Sequence, residues 1–220
     1  MIFNRLCHIC GCQLAAGERT VCIACIGRMP LWNGLADELR LQRFDRTSPV
    51  SDVRPWLTYY KSHPVCQLIR KGKFSDRPDL IEALAELYAN HLVNTEALAD
   101  IDAIVPVPMH WFKRLLRGYN QAEIIAEKIS RAAAIPVVKA IKAQRSHSVQ
   151  SRLSADKRAL NLTGTFSLTK TGKSLPSGMK IALVDDILTT GATLREAIRA
   201  ISTKNPSKIA ILTLAATPNF

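Results

Sequence analysis

The chain has 220 residues, 47% of them apolar, which suits one α/β domain of moderate size with a small appendage and is too apolar for intrinsic disorder. Thirty Lys and Arg against 18 Asp and Glu leave a formal charge of +12, a balance that favours polyanionic partners such as nucleic acid, an anionic membrane surface or phosphorylated small molecules. No stretch approaches about 18 consecutive apolar residues and the N-terminus reaches cysteines before an apolar signal core forms, so a cytoplasmic protein without a transmembrane segment is expected.

Residues 1–30 carry Cys7-x2-Cys10, eleven intervening residues, and Cys22-x2-Cys25. Two bidentate claws on a short loop have the spacing of a tetrahedral four-cysteine zinc site, with sulfurs about 2.3 Å from the ion. Metal accounts for them better than disulfides, because nothing in the chain indicates export. With Gly11 and Gly17 at turns and few apolar residues at regular spacing, this segment buries too little to fold unaided, and the metal is read as structural. Cys12 and His8 compete with Cys10 for the first claw, though neither preserves the symmetrical pairs. Four thiolates on one dication lower the formal charge to about +10. Cys66, in an apolar stretch, reads as a core residue.

Residues 31–60, punctuated by Pro30, Pro49 and Pro55, read as a linker or hood, with a strand over 56–60. Residues 61–220 form the expected main domain. Leu80, Ile81, Leu84, Leu87, Tyr88, His91 and Leu92 recur at three and four and predict an amphipathic helix. A short buried strand is expected over 101–107, a helix over 120–134 and another strand over 135–138. Residues 142–165 are polar and basic, with Arg145, Arg152, Lys157 and Arg158, and suit a loop with a short helix. Strands over 179–184 and 209–215 flank a helix over 193–202. This alternation predicts an α/β fold with a doubly wound, mostly parallel sheet.

The segment from Ile181 to Thr193 is the most informative. An apolar strand ends in Asp185 and Asp186, then Thr189, Thr190, Gly191, Ala192 and Thr193 make a small-residue turn at a helix N-terminus. Backbone N–H groups and the positive helix end there can cradle a phosphate, Gly191 lets the backbone approach it, and the threonine hydroxyls add donors. The two carboxylates can accept from neighbouring ribose hydroxyls or help to place Mg2+.

Residue for residue, this string resembles the motif of type I phosphoribosyltransferases that binds phosphoribosyl pyrophosphate (PRPP). The resemblance implies that Asp185 and Asp186 hold the ribose hydroxyls and residues 189–193 the 5-phosphate, with magnesium. Val105-Pro106-Val107-Pro108, Arg114 and Arg117-Gly118-Tyr119-Asn120-Gln121-Ala122-Glu123 resemble the pyrophosphate loop of the ComF/GntX-type competence family, whose members also begin with a two-claw zinc finger. A stretch like Gln150, Leu153, Arg158, Asn161 and Phe166 adds to that likeness. Pro106 restrains the turn, and Arg114 and Arg117 offer forked donors to a pyrophosphate. The implied catalytic set is Asp185, Asp186 and Arg117.

Arg145, Arg152 and Arg158 fall where that fold carries its flexible loop and are candidates for closing over pyrophosphate or for contacting nucleic acid. The implied function is a PRPP/Mg-binding protein of natural competence that supports uptake or handling of single-stranded DNA on the cytoplasmic side, beside translocation machinery at the inner face of the membrane. An active phosphoribosyltransferase, in nucleotide salvage or amide-nitrogen transfer, is the alternative. Trp32, Trp56, Tyr59, Tyr60 and Trp111 are either a base-stacking platform or core.

Overall fold

In the computed structural model, residues 5–34, 43–44, 48–74, 77–109, 111–144 and 165–218 are described, the side chains of residues 74 and 111–113 excepted. In chain order they form α1 (Ile23–Ile26), β1 (Val50–Thr58), α2 (Pro64–Phe74), α3 (Pro78–Asn94), β2 (Ala103–Pro106), α4 (Trp111–Arg117), α5 (Gln121–Ala133), β3 (Ile141–Ala143), β4 (Phe166–Leu168), α6 (Lys170–Lys173), β5 (Lys180–Leu188), α7 (Ala192–Ser202) and β6 (Lys208–Ala216).

Four strands pair in the order β1-β6-β5-β2, every pair parallel. Their apolar runs are near-continuous because helices cover both faces of the sheet. Ile104, Ala182, Val184, Ala210 and Leu212 belong to one buried cluster with residues of α2, α3 and α5. Val105, Ile181, Leu183, Ile209 and Ile211 belong to a second with residues of α7, β3 and β4. This period-two division of each strand between two cores is what a doubly wound α/β sheet requires.

The helix predicted from the three-and-four spacing is α3, whose buried face is Leu80, Ile81, Leu84, Ala85, Tyr88, Ala89 and Leu92. Tyr88 stacks on Trp56, with ring centroids 5.9 Å apart, and donates its hydroxyl to the Arg54 carbonyl. Trp56 is therefore a core residue. At α5, Asn120 caps the helix by accepting from the Ala122 N–H at 3.1 Å, and Ala134 ends it in the left-handed region with φ 57°.

Several elements depart from the sequence reading. The segment 31–60 contributes β1 to the main sheet, starting at Val50 and ending at Thr58. Pro55 is tolerated within it because β1 is the edge strand. The expected strand over 135–138 is reduced to a single bridge between Val137 and Ile104, since Pro136 has no N–H to give and offers only its carbonyl to Ile104 N–H, at 2.9 Å. Helix α2 was not expected. Its Val65, Cys66, Leu68 and Ile69 are buried at helical spacing, but Gly72 among three basic residues masks the pattern. Cys66 is a core residue, as read.

β3 and β4 form a separate antiparallel pair, joined to α6 through Thr169, which accepts from the Gly172 N–H at 2.9 Å and donates to the Lys139 carbonyl at 2.8 Å. Gly172 packs so tightly on the Ala140 carbonyl that any Cβ would overlap its oxygen. Gly172→Ala is expected to cost about 1–3 kcal/mol, as overpacking against backbone does. Chemical denaturation measures it, and an unchanged midpoint would contradict this packing.

Candidate functional site

The carboxyl ends of β2 and β5 open into a cleft of about 330 Å3. From the residues just after β2 come Val107 and Pro108, from the start of α5 Asn120, Gln121 and Ala122, and from the end of β5 Asp185, Asp186 and Ile187. Thr189 and Thr193 complete that wall, and Ala143, Thr165 and Phe166 of the β3–β4 pair form the opposite one. Its size lies at the lower end of the range for small-ligand sites.

Asn120 anchors the floor by donating to the Val107 carbonyl at 3.0 Å, which ties the end of β2 to the start of α5. Arg117 donates to Gln121 Oε1 at 2.8 Å. Gln121 is 1% exposed, and its Nε2 has no partner among the described residues. A buried donor of that kind at the wall of a cleft is suited to a ligand acceptor.

The turn after β5 has donors that can receive an anion. Gly191 occupies the N-cap of α7 with φ 74°, a conformation that glycine adopts without strain, and it has no side chain to satisfy the first-turn N–H groups. Thr189, Thr190 and Thr193 are exposed around it. Behind the turn, Arg195 donates to the Thr190 carbonyl at 2.9 Å and to the Arg43 carbonyl at 2.8 Å. Burial, with repulsion from Arg195, lowers the Arg43 guanidinium pKa below its ordinary value. Asp186 is 7% exposed. Its Oδ1 accepts from the Ile187 N–H at 2.7 Å and its Oδ2 from Lys73 Nζ at 2.6 Å. Asp185 accepts from the Asp186 N–H at 2.8 Å.

A second constellation lies at the N-terminus. The sulfurs of Cys7, Cys10, Cys22 and Cys25 all lie within 4.8 Å of one another, a donor set that can hold a metal ion. Gly11, with φ 73°, shapes the turn that returns its N–H to the Cys7 carbonyl at 2.9 Å. Burial pushes the Cys7 thiol up, but backbone N–H groups around it outweigh that and hold its pKa below the ordinary value. The N–H groups of Ile9 and Cys22 each lie 3.4 Å from its sulfur. At Cys10, hydrogen bonds from the Cys12 backbone and thiol lower the pKa to about 6. Cys12 has its sulfur 3.3 Å from that of Cys10, while His8 turns its Nε2 to Arg77 at 3.4 Å and stands away from the cluster. Leu14, Val21 and Met29 bury themselves in the core cluster that contains α2 and α3, so the cysteine segment leans on the main domain.

Residues 76–219 match the model of the phosphoribosyl transferase domain. The chain belongs to this family. Its relatives place it among the competence-type phosphoribosyltransferase-domain proteins. It is 29% identical over 224 residues to competence protein F of Haemophilus influenzae, covering 97% of each chain. It is 30% identical to the DNA utilization protein YhgH of Escherichia coli over 87% of its own length and 75% of that protein's. Competence protein ComFC of Bacillus subtilis is 32% identical over 46% of this chain and 38% of its own.

Of the residues expected at the site of this phosphoribosyltransferase-domain protein, the cleft brings together Arg117, Asp185, Asp186, Thr189 and Thr193, with Thr190, Gly191 and Ala192 in the adjoining turn. Pro106 is the last residue of β2, buried beside Val184, and Pro108 lines the cleft instead. Arg114 does not line it either, and pairs with Glu123 at 3.2 Å in a network that includes Lys139. Arg145, Arg152 and Arg158 lie outside the described residues. Sequence reasoning missed Lys73, Arg43 and Arg195, for which single basic residues in unremarkable surroundings give no signal. It singled out Gln121 only as part of a motif.

The cysteine geometry makes a direct prediction. Cys22→Ser removes a buried sulfur from the centre of the four-thiol cluster, and bound metal, measured by elemental analysis, should fall from one ion per chain to a trace. Full metal content in this variant would mean that the cluster is not the binding site.

Proposed function

We propose that the protein binds PRPP with magnesium in the cleft between β2 and β5, carries one structural zinc on Cys7, Cys10, Cys22 and Cys25, and serves the handling of single-stranded DNA in natural competence. The observation that carries the reading is the joint placement of Asp185, the residue 189–193 turn and Arg117 around one cleft at the carboxyl ends of parallel strands, where open α/β sheets bind ligands.

The chemistry fits at each end of the ligand. A 5-phosphate on the turn meets the positive end of α7 and three threonine hydroxyls. Ribose hydroxyls meet the carboxylates of Asp185 and Asp186, and the pyrophosphate meets Arg117 and the Gln121 Nε2 at the start of α5, which has no partner among the described residues. Magnesium fits the hard oxygen of Asp185, and when bound would neutralise part of the pyrophosphate charge. Neither proline 106 nor Arg114 is needed in this account.

The DNA part rests on the +12 charge, and on relatives whose names refer to competence and to DNA utilization. Among the described residues no helix is long and apolar enough to cross a membrane. The proposal places the protein on the cytoplasmic side, against the inner face of the membrane where translocation machinery would deliver a single strand.

Thr193→Glu tests the PRPP site with the fold preserved. Thr193 is exposed in the first turn of α7, where an acidic side chain is favourable, yet its carboxylate would repel a phosphate seated on the turn. Calorimetric titration with PRPP and Mg2+ should show binding in the wild type and none in the variant; equal affinities would place the ligand elsewhere. Gly191→Val is less informative, because valine at φ 74° is strained.

Binding of single-stranded DNA should be sequence-independent, and its log affinity should fall against log salt with a slope of about −0.7 per phosphate neutralised. A gel-retardation series that detects no binding even at low salt would remove the DNA role and leave the PRPP reading intact.

A further inference from the structure

Among the described residues, one cation that lines the cleft lies outside both the motifs and the family match. Lys73 precedes the matched stretch, which begins at residue 76, and closes α2. It lines the cleft and sets its Nζ 2.6 Å from Asp186 Oδ2. The backbone that carries it is held from two sides. Tyr119 donates its hydroxyl to the Gly72 carbonyl, and Gly72 lies so close to α3 that a Cβ there would come within 2.6 Å of Ile81 Cγ1. A long, flexible side chain is thereby aimed by its neighbours in the chain.

Asp186 needs that cation. Its side chain is 11% exposed, and both oxygens are engaged within the protein, Oδ1 by the Ile187 N–H and Oδ2 by Lys73. A carboxylate so far from water is costly unless paired. The ligand proposed for the cleft is itself a polyanion, and an unpaired Asp186 carboxylate would repel it. The Lys73 ammonium offsets that repulsion and fixes the orientation of the Asp186 carboxylate.

We propose that Lys73 is a positioning residue for the ribose end of the ligand: it neutralises and orients Asp186, which would otherwise face a phosphorylated sugar as an unpaired carboxylate. This rests on the reading of the cleft as a PRPP site. Lys73 acts through Asp186 and makes no contact with the pyrophosphate.

Calorimetry on the full chain, at fixed Mg2+, with ribose 5-phosphate, PRPP and inorganic pyrophosphate separates the two ideas. If the wild type binds none of the three, the PRPP reading itself falls, and this inference with it. Where the wild type binds, Lys73→Met should weaken ribose 5-phosphate and PRPP alike by about tenfold or more, the usual worth of a hydrogen bond to a charged group, and pyrophosphate much less. Lys73→Arg should restore most of the affinity. The double variant Lys73→Met with Asp186→Asn should bind better than Lys73→Met alone, since it strands no carboxylate. Should Lys73→Met fail to fold, the arginine and double variants carry the comparison with wild type, and a purely structural lysine would move the melting temperature and leave the ligand affinities unchanged. Unchanged affinities in a folded variant, or a loss confined to PRPP and pyrophosphate, would overturn the proposal, the latter by placing the ammonium on the leaving group.

Discussion

The parallel pairing of β5 with β2 on one side and β6 on the other is the constraint on which the cleft depends. β5 is paired with β6 from Lys180 to Leu188 but with β2 only from Ile181 to Val184, so hydrogen-bonding capacity for a ligand is left at its carboxyl end. The amino end is closed: the Asp102 N–H donates to the Lys180 carbonyl, the Asp102 carboxylate accepts from the Lys180 N–H, both at 2.8 Å, and Lys208 and Lys180 converge on Asp100. Chemistry is left to the carboxyl end, where two aspartates are followed after Ile187, Leu188, Thr189 and Thr190 by a glycine-capped helix.

The surroundings of that end are arranged as a balance of charge. Arg43 and Arg195 lie behind the turn, Arg117 and Lys73 stand around the cleft, and Asp185 and Asp186 supply the opposing sign. Most of these groups are committed to particular partners, as with Arg195 on two carbonyls and Lys73 on Asp186. Each committed cation loses less side-chain freedom on meeting a ligand than a solvated one would. The N-terminal cysteine segment joins the same arrangement from a distance, because Leu14, Val21 and Met29 anchor it on the α2–α3 side of the core and so give the cysteine cluster a fixed platform.

How much of this was legible in the chain depends on how local the signal was. The helix at Leu80–Leu92 and the strands around Ile181 and Ile209 announce themselves by period, and the string from Asp185 to Thr193 by the conjunction of acidic pair, threonines and glycine. The two cysteine claws are legible by spacing alone. β1 was only half visible, because Pro55 and the polar residues Ser51, Asp52 and Arg54 obscure an edge strand whose identity comes from pairing with β6. Pro106, read with the ligand-binding residues, ends β2, and Pro108 is the proline that lines the cleft: a motif marks where a turn begins, whereas which proline faces inward depends on where β2 leaves the sheet. Lys73 and Arg195 could not be read at all, since their roles come from contacts with residues 113 positions away in one case and, for Arg195, 152 in the other.

The antiparallel pair β3–β4 has a consequence for how this architecture can vary. Its two strands are locked at three successive positions and by the Gln144 N–H to Thr165 carbonyl bond at 2.7 Å, and Thr169 and Gly172 fasten them to the rest of the domain. Whatever length of chain runs between residues 144 and 165 begins and ends on the same fixed ladder. The entropy of closing such a segment grows only with the logarithm of its length, about 0.6 kcal/mol for each doubling. A change in chain length between these two residues therefore costs the β3–β4 ladder little, and the cleft wall that Ala143, Thr165 and Phe166 supply can be inherited intact by descendants whose chains differ in length there.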